Sequence, residues 1–109
     1  MILTFKTKAM SVNKMYRGRR FSTKEGLATK ESFQWEAKAQ WKHKPIAGEV
    51  KVNVEFHVQN KRSDLDNLLK GFLDSMTGIL YEDDRQISEI HAKRFLSKEP
   101  RILLQLITK

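Results

Sequence analysis

All five aspartates of this 109-residue chain lie between positions 64 and 84, within a protein that is otherwise strongly basic. The net charge is +9 over residues 1–63, −5 over residues 64–84 and +4 over residues 85–109, which together give +8. This distribution of charge fits a protein that binds a polyanion through its basic residues. The clustered carboxylates would hold a divalent cation that acts on the phosphate groups of that polyanion. The chemistry of the chain is therefore expected within residues 64–84.

The first acidic pair stands at the predicted entry of a helix. Asp64 and Asp66 would point about 200° apart if both were helical, but to one side if the chain were extended. The two carboxylates can converge only where an extended segment meets a helix. Asp64 lies just before the predicted helix and Asp66 lies in its first turn, so the pair meets this condition. Lys70 and then Asp74 follow at intervals of four, so these two residues share one helical stripe with Asp66. The Lys70 ammonium is thus expected within reach of the carboxylates.

The second acidic pair, Asp83–Asp84, follows the helix and must be brought back to the first pair by the fold. Magnesium prefers oxygen ligands and takes a few carboxylates together with substrate phosphate. Each position also has an ordinary structural explanation: Asp64 as a helix cap, Asp66 as a first-turn acid with a lysine partner, and the pair as a turn. The joint metal-site hypothesis stands beside these explanations because no aspartate occurs elsewhere, although glutamate is used freely.

The composition sets narrow bounds on the rest of the chain. Residues 1–109 are expected to form one domain with one core, and 39% hydrophobic with 31% charged residues is a composition that folds. The lack of cysteine excludes disulfides, thiolate zinc sites and cysteine nucleophiles, so a metal must sit on oxygen or histidine. No apolar run approaches the about 20 residues that span a bilayer, and the start of the chain alternates like a strand. We therefore expect a cytoplasmic protein with no membrane partner.

The first half of the chain predicts a strand, a basic segment and a helix. Ile2–Phe5 alternates as a short strand, and residues 11–20 form a polar, basic segment that is expected to be a loop or short strands. Ser22–Glu25 has the spacing of a capping box, which predicts a helix that begins there and ends before Pro45. The residues that recur at near-helical spacing on it are Leu27, Gln34, Ala37 and Trp41, with Phe33 and Trp35 off this stripe.

The second half shows clearer periodicity. Val50–Val58 alternates with a period of two and predicts a strand. The apolar residues from Leu65 to Met76 recur at intervals of three and four and predict an amphipathic helix that ends near Gly78. Two further strands are predicted at Ile87–Leu96 and Ile102–Ile107. The order β, loop, α, β, α, β, β predicts an α/β sandwich in which a mixed sheet carries two main helices on one face.

The central motif resembles that of the RusA family of Holliday junction resolvases. It reads Asp64-Leu-Asp-Asn-Leu-Leu-Lys70, then Leu73-Asp74, Gly78-Ile-Leu80 and Asp83-Asp84 with Gln86. A weaker similarity extends to Ser11, Asn13 and Tyr16. Ala9-Met10 stand where the family often has prolines, a departure that concerns the geometry of a loop.

The resemblance implies a homodimeric endonuclease that depends on magnesium, with manganese as a substitute, and that acts in DNA recombination and repair. Such an enzyme binds four-way junction DNA and nicks two opposing strands symmetrically. Carried over by the motif, Asp64, Asp66 and Asp84 are the catalytic metal ligands and Lys70 is the catalytic lysine. Asn67 has a supporting role, and Asp83 is either a ligand or a turn residue.

Two basic clusters are candidates for contact with DNA phosphates. The residues concerned are Lys14, Arg17, Arg19 and Arg20 in the first cluster and Lys61 and Arg62 in the second. Solvated surface charge is the alternative for both. The strand Ile102–Ile107 carries large apolar residues on both faces, Leu103 and Ile107 on one and Ile102, Leu104 and Leu106 on the other. A partner subunit is expected to cover one of these faces, with Phe33 or Trp35 as a second candidate surface.

Two other functions fit part of the sequence. A non-catalytic nucleic-acid-binding module would explain the charge but not the aspartates. A metal nuclease of the restriction type would require a Pro-Asp followed by an acid-x-Lys on a strand. Glu49-Val-Lys51 is the only such triplet near a strand and no Pro-Asp precedes it, which argues against this class.

Overall fold

A computed structural model of the chain describes residues 2–17, 21–62 and 64–108. Its main body is a four-stranded sheet with helices packed on one face. The elements are β1 (Ile2–Phe5), α1 (Val12–Met15), β2 (Tyr16–Arg17), β3 (Phe21–Ser22), α2 (Lys24–Gln40), β4 (Val50–Val58), α3 (Leu65–Met76), a 3₁₀ turn (Asp84–Gln86), β5 (Ile87–Leu96) and β6 (Arg101–Thr108). Within these residues no helix is both long and apolar enough to cross a membrane.

The sheet is mixed, with the strand order β1-β6-β4-β5. β4 and β5 are parallel, and β6 pairs antiparallel with both β4 and β1. Parallel neighbours need a crossover connection, and here α3 supplies it. The predicted α/β fold with a mixed sheet and two main helices is confirmed. The two acidic pairs therefore belong to one crossover connection, because α3 and the turn that leads into β5 follow each other within it.

The core lies between the sheet and the two long helices. Every second residue of β4, from Val50 to Val58, is buried, as the period-two pattern predicts. Phe72 of α3 packs edge-to-face against Phe5 and Phe33, with ring centroids 4.9 and 5.2 Å apart. Such aromatic pairs contribute about 0.5 to 1.5 kcal/mol each beyond their burial. Because Phe72 points inward, Lys70 and Asp74, two residues away on either side, point to the outer face of α3.

The structure identifies the inward face of α2, which the sequence left ambiguous. Phe33 and Ala37 are buried, whereas Leu27 is 49% exposed and Trp35 is 75% exposed. Phe33 therefore belongs to the core and is not a candidate dimer surface. The start of α2 also differs from the capping box at Ser22, because the cap is Thr23, whose side-chain oxygen accepts a hydrogen bond from the Gly26 amide at 2.9 Å.

The segment before α2 contains a short helix that the sequence did not predict. α1 is a single turn, and β2 and β3 form a two-stranded antiparallel pair beside it. α1 packs closely on α2, because a β-carbon at Gly26 would overlap the backbone of Met15. The predicted short strands are thus present as two-residue strands, and residues 18–20 between them lie outside the described residues.

Candidate active site

One open cleft of about 350 Å³ receives acidic side chains from two elements. Asp66, Lys70 and Asp74 reach it from successive turns of α3, as their spacing of four predicts. Asp84 reaches it from the 3₁₀ turn. This acidic cleft is lined by Asp66, Asn67, Leu69, Lys70, Leu73, Asp74, Asp84, Ile87 and Ile90. Three of the four predicted catalytic residues, Asp66, Lys70 and Asp84, therefore lie together.

Asp64 occupies the boundary position that the sequence predicts, but it does not line the acidic cleft. It stands at the N-cap of α3 with extended backbone (φ −67°, ψ 143°), and its side chain makes no capping hydrogen bond. Its carboxylate is exposed and is not engaged by the helix. Across residues 2–17, 21–62 and 64–108, no group of three or more histidine or carboxylate side chains lies close enough to hold a metal ion.

Asp83 and Asp84 have different roles. The Asp83 carboxylate accepts hydrogen bonds from the Arg85 amide at 2.9 Å and from Arg85 Nη2 at 3.2 Å. The backbone amide of Arg85, then its side chain, and then Asp84 lower the pKa of Asp83. The Asp83 side chain thus shapes the turn, which leaves Asp84 as the member of the pair that faces the acidic cleft.

Gln86 fixes the turn that carries Asp84. Its side-chain oxygen accepts from the Asp83 amide at 2.7 Å, which completes a capping box. Its Nε2 donates to the carbonyl oxygens of Ile46 at 2.6 Å and Gly48 at 2.8 Å, in the segment before β4. The turn is therefore held both from within and from a distant part of the chain. The motif in the sequence included Gln86, but only the structure shows this positioning role.

Asp74 is a member of the cleft to which the sequence analysis gave no role. Burial, followed by the charge of Asp84, raises the pKa of Asp74, and Lys30 and Lys70 act in the opposite direction. Its interval of four from Lys70 had placed it on the same helical stripe, but this interval indicated no role for it. Beneath the cleft, burial and then the charge of Asp84 raise the pKa of Tyr81, whose hydroxyl donates to the Leu73 carbonyl oxygen at 2.7 Å.

A second cleft, of about 360 Å³, contains two of the predicted DNA-binding residues, Lys14 and Arg62. We call it the polar cleft; it is lined by Thr7, Lys8, Ala9, Met10, Ser11, Lys14, Glu25, Thr29, Val58, Gln59, Asn60, Arg62 and Leu68. Lys61 is exposed next to it in sequence. The predicted contacts of the Arg17 side chain and of Arg19 and Arg20 lie outside the described residues.

The face of the sheet opposite the helices retains apolar surface. Leu103 is half-buried and Ile107 is 40% exposed, whereas Ile102 and Leu104 on the other side of β6 are buried. Of the two aromatic residues considered as a second surface, Trp35 is exposed. The two-faced character predicted for β6 is thus present in the structure.

Two comparisons with known proteins bear on this site. The family model described as Endodeoxyribonuclease RusA matches residues 5–107, which is nearly the whole chain. The chain is also similar to the uncharacterized protein YqaN of Bacillus subtilis strain 168, with 37% identity over 41 residues. That match covers 38% of this chain and 29% of YqaN, so it spans less than a third of the relative's length.

Proposed function

The chain belongs to the RusA family of endodeoxyribonucleases, and on that premise we propose that it is a magnesium-dependent nuclease that resolves four-way DNA junctions by paired symmetric nicks. The observation that supports this proposal most directly is the convergence of Asp66, Lys70 and Asp84 in one open cleft. A net charge of +8 on the whole chain suits a polyanionic substrate. Recombination and repair are the processes in which such junctions are resolved.

The side chains in the acidic cleft fit a magnesium ion by their chemistry. Magnesium is typically held by one or two carboxylates together with waters and substrate phosphate, and Asp66 and Asp84 provide two carboxylates in the same cleft. Asp64 is the third proposed ligand, and its uncapped side chain must turn toward the cleft to take part. When bound, the cation would supply positive charge to the phosphate and acidify a nearby water; manganese has the same ligand preferences.

Lys70 is proposed to stabilise the negative charge that develops on the scissile phosphate. It projects from the outer face of α3, one turn from Asp66 and one turn from Asp74, and it is exposed to an incoming strand. An ammonium placed at this point favours the transition state because the charge on the phosphate increases during the attack by water. The carboxylate of Asp74, one turn away, attracts the Lys70 ammonium and helps to orient it.

A homodimer follows from the proposed reaction. Two related strands of a junction must be cut together, and one chain provides one acidic cleft. Two-fold symmetry in the substrate is matched by a two-fold protein. The surface that we propose for the contact is the open face of the sheet around Leu103 and Ile107, where β6 exposes apolar side chains.

The test is a cleavage assay on a labelled four-way junction and a duplex of the same sequence, with magnesium and with a chelator. We expect paired nicks in the junction only when magnesium is present. Asp66→Asn and Asp84→Asn should lose cleavage while binding the junction as well as or better than the wild type, because each removes a negative charge near phosphate. Glu99→Gln, the same charge change at an exposed site outside both clefts, is the control. Junction binding without cleavage by the wild type would favour a non-catalytic binding module.

A further inference from the structure

The polar cleft lies beside the acidic cleft, across the first half of α3. Leu68 lines the polar cleft, whereas its neighbours Asn67 and Leu69 line the acidic cleft. The two clefts are therefore separated by one helix, whose diameter with side chains is about 10 Å. Arg62 in one cleft and Asp66 in the other are four residues apart, which limits their Cα separation to about 14 Å. A B-form strand advances about 3.4 Å per nucleotide, so the helix of about 10 Å that separates the two clefts corresponds to about three nucleotides.

The chemistry of the polar cleft matches a single nucleotide. Its lining includes three cations, Lys8, Lys14 and Arg62, against one carboxylate, Glu25, so it attracts an anion. The apolar part is aliphatic and includes the buried Val58 and Leu68, which offers a surface for the flat face of a base. A volume of about 360 Å³ is within the range of small-ligand sites, about 300 to 1,000 Å³.

Two amides at the end of β4 are held in a way that leaves base-pairing groups available. Gln59 donates through Nε2 to the Lys98 carbonyl oxygen at 3.1 Å, which leaves its own oxygen as an acceptor. Asn60 accepts through Oδ1 from the Arg62 amide at 3.0 Å, which leaves its NH₂ group as a donor. A donor and an acceptor beside an aliphatic surface are what an unstacked base requires, because such bases are recognised on their hydrogen-bonding edges.

We propose that the polar cleft receives one unstacked nucleotide of the strand that is cut, within about three nucleotides of the scissile phosphate. Lys8, Lys14 and Arg62 hold its phosphate, and Gln59 and Asn60 contact the edge of its base. Glu25 adds a second acceptor, which favours a base that carries an exocyclic amino group over thymine. The site then determines where in a junction the acidic cleft is placed. This inference rests on the proposed function for its position relative to the cut.

The test uses the fluorescence of 2-aminopurine, which rises when the base leaves the stack. The probe is placed in turn at each of the three nucleotides on either side of the cut in a four-way junction, and the full-length protein is added without divalent metal so that the DNA stays intact. We expect a severalfold rise at one position. Thr29→Leu, which fills the cleft, and Gln59→Met, which removes the amide at similar length, should abolish most of this rise. Gln34→Met, on α2 outside both clefts, is the matched control and should leave it unchanged.

The outcomes separate this proposal from the proposed function. A fluorescence rise that the two cleft variants remove supports the subsite even if no cleavage is found under any condition. Equal fluorescence at every position, or the same rise in the variants as in the control, would overturn the subsite and leave the nuclease proposal standing. Weaker binding by Lys14→Gln and Arg62→Gln without any rise in fluorescence would assign these cations to backbone contact alone, which also overturns it. With thymine at the responding position, the preferred cut site should move, and Glu25→Met, which removes the acceptor at similar length, should reduce that dependence. A cut site that neither change affects would overturn the base preference.

Discussion

Asp74 and Asp84 line the same cleft, and, after burial, the charge of Asp84 is the main cause of the raised pKa of Asp74. A carboxylate whose charged form is disfavoured by burial and by a second carboxylate is a cost to the folded protein unless a cation is placed near it. Lys30 and Lys70 offset part of that cost. The arrangement is typical of a functional site, where a local loss of stability is retained for the reaction.

Asp74→Asn should therefore raise the melting temperature at neutral pH and lower the rate of cleavage. The folded-state pKa of Asp74 lies above its ordinary value of 3.8. The contribution of Asp74 to the stability of the folded wild type is therefore fully present below pH 3.8 and is lost as the pH rises through the folded-state pKa. The gain in the variant should consequently be largest at neutral pH and shrink as the pH falls toward 3.8. Thermal unfolding of the wild type and the variant from pH 4 to 8 measures this difference in melting temperature, with Glu31→Gln as the control. A lower melting temperature for Asp74→Asn at neutral pH would contradict this assignment.

Lys70→Ala should reduce turnover strongly with little effect on stability. Lys70 is exposed, and within the described part of the chain it forms no ion pair shorter than 4 Å. Surface substitutions of this kind change stability by at most about 0.5 kcal/mol. A large loss of single-turnover cleavage rate with an unchanged melting temperature is the expected result. Wild-type rates would return Lys70 to the role of a solvated surface charge.

Gln86→Ala should lower both stability and cleavage, although Gln86 does not line the acidic cleft. It makes three hydrogen bonds that hold the Asp84 turn, and each contributes about 0.5 to 1.5 kcal/mol. Because the lost contacts position Asp84, the variant should need more magnesium for half-maximal cleavage, an effect that a purely structural role would not cause. A magnesium titration of the cleavage rate, performed well below the melting temperature, separates the two. An unchanged magnesium requirement would argue against the positioning role.

The parts of the fold that the sequence predicted are those with strong periodicity. The alternation of β4 and the apolar stripe of α3 specify which face of each element is buried. Because the buried face of α3 is known, Asp66 and Lys70 could be placed together on its outer face. The inward face of α2 was harder to predict, because the exposed apolar residues Leu27 and Trp35 obscure the pattern of buried positions. α1 was missed because a four-residue helix has no period to detect.

The site was predictable to the same extent. The interval of four placed Asp66 beside Lys70, and the crossover from β4 to β5 returned Asp84 to them. The direction of the Asp64 side chain could not be predicted, because an N-cap residue is constrained by its backbone and not by helical spacing. The contacts of Gln86 with Ile46 and Gly48 join segments about 40 residues apart and leave no local pattern.

Junction binding should weaken steeply with salt, and the basic residues should contribute in proportion to their phosphate contacts. Each contact lowers the slope of log affinity against log salt by about 0.9. Lys61→Gln with Arg62→Gln should flatten the slope by up to about 2 units, and Arg17, Arg19 and Arg20 changed together by up to about 3 units. Lys42 and Lys44, exposed beyond the end of α2, are the control pair. A slope that does not change for a cluster would mean that it faces solvent in the complex.

The last prediction concerns the dimer. Sedimentation at micromolar concentration should give about twice 12.8 kDa, since a stable interface needs about 800 Å² from each partner and Leu103 and Ile107 of β6 offer apolar surface on the open sheet face. Ile107→Asp should shift the protein toward the monomer, because it places a charge on this face, whereas Leu27→Asp, at a similarly exposed apolar site on α2, should not. The monomeric variant should cut the two strands of a junction independently, so that single nicks accumulate before resolution. A dimeric Ile107→Asp protein that still made paired cuts would move the interface to another surface, with Trp35 the next to be tested.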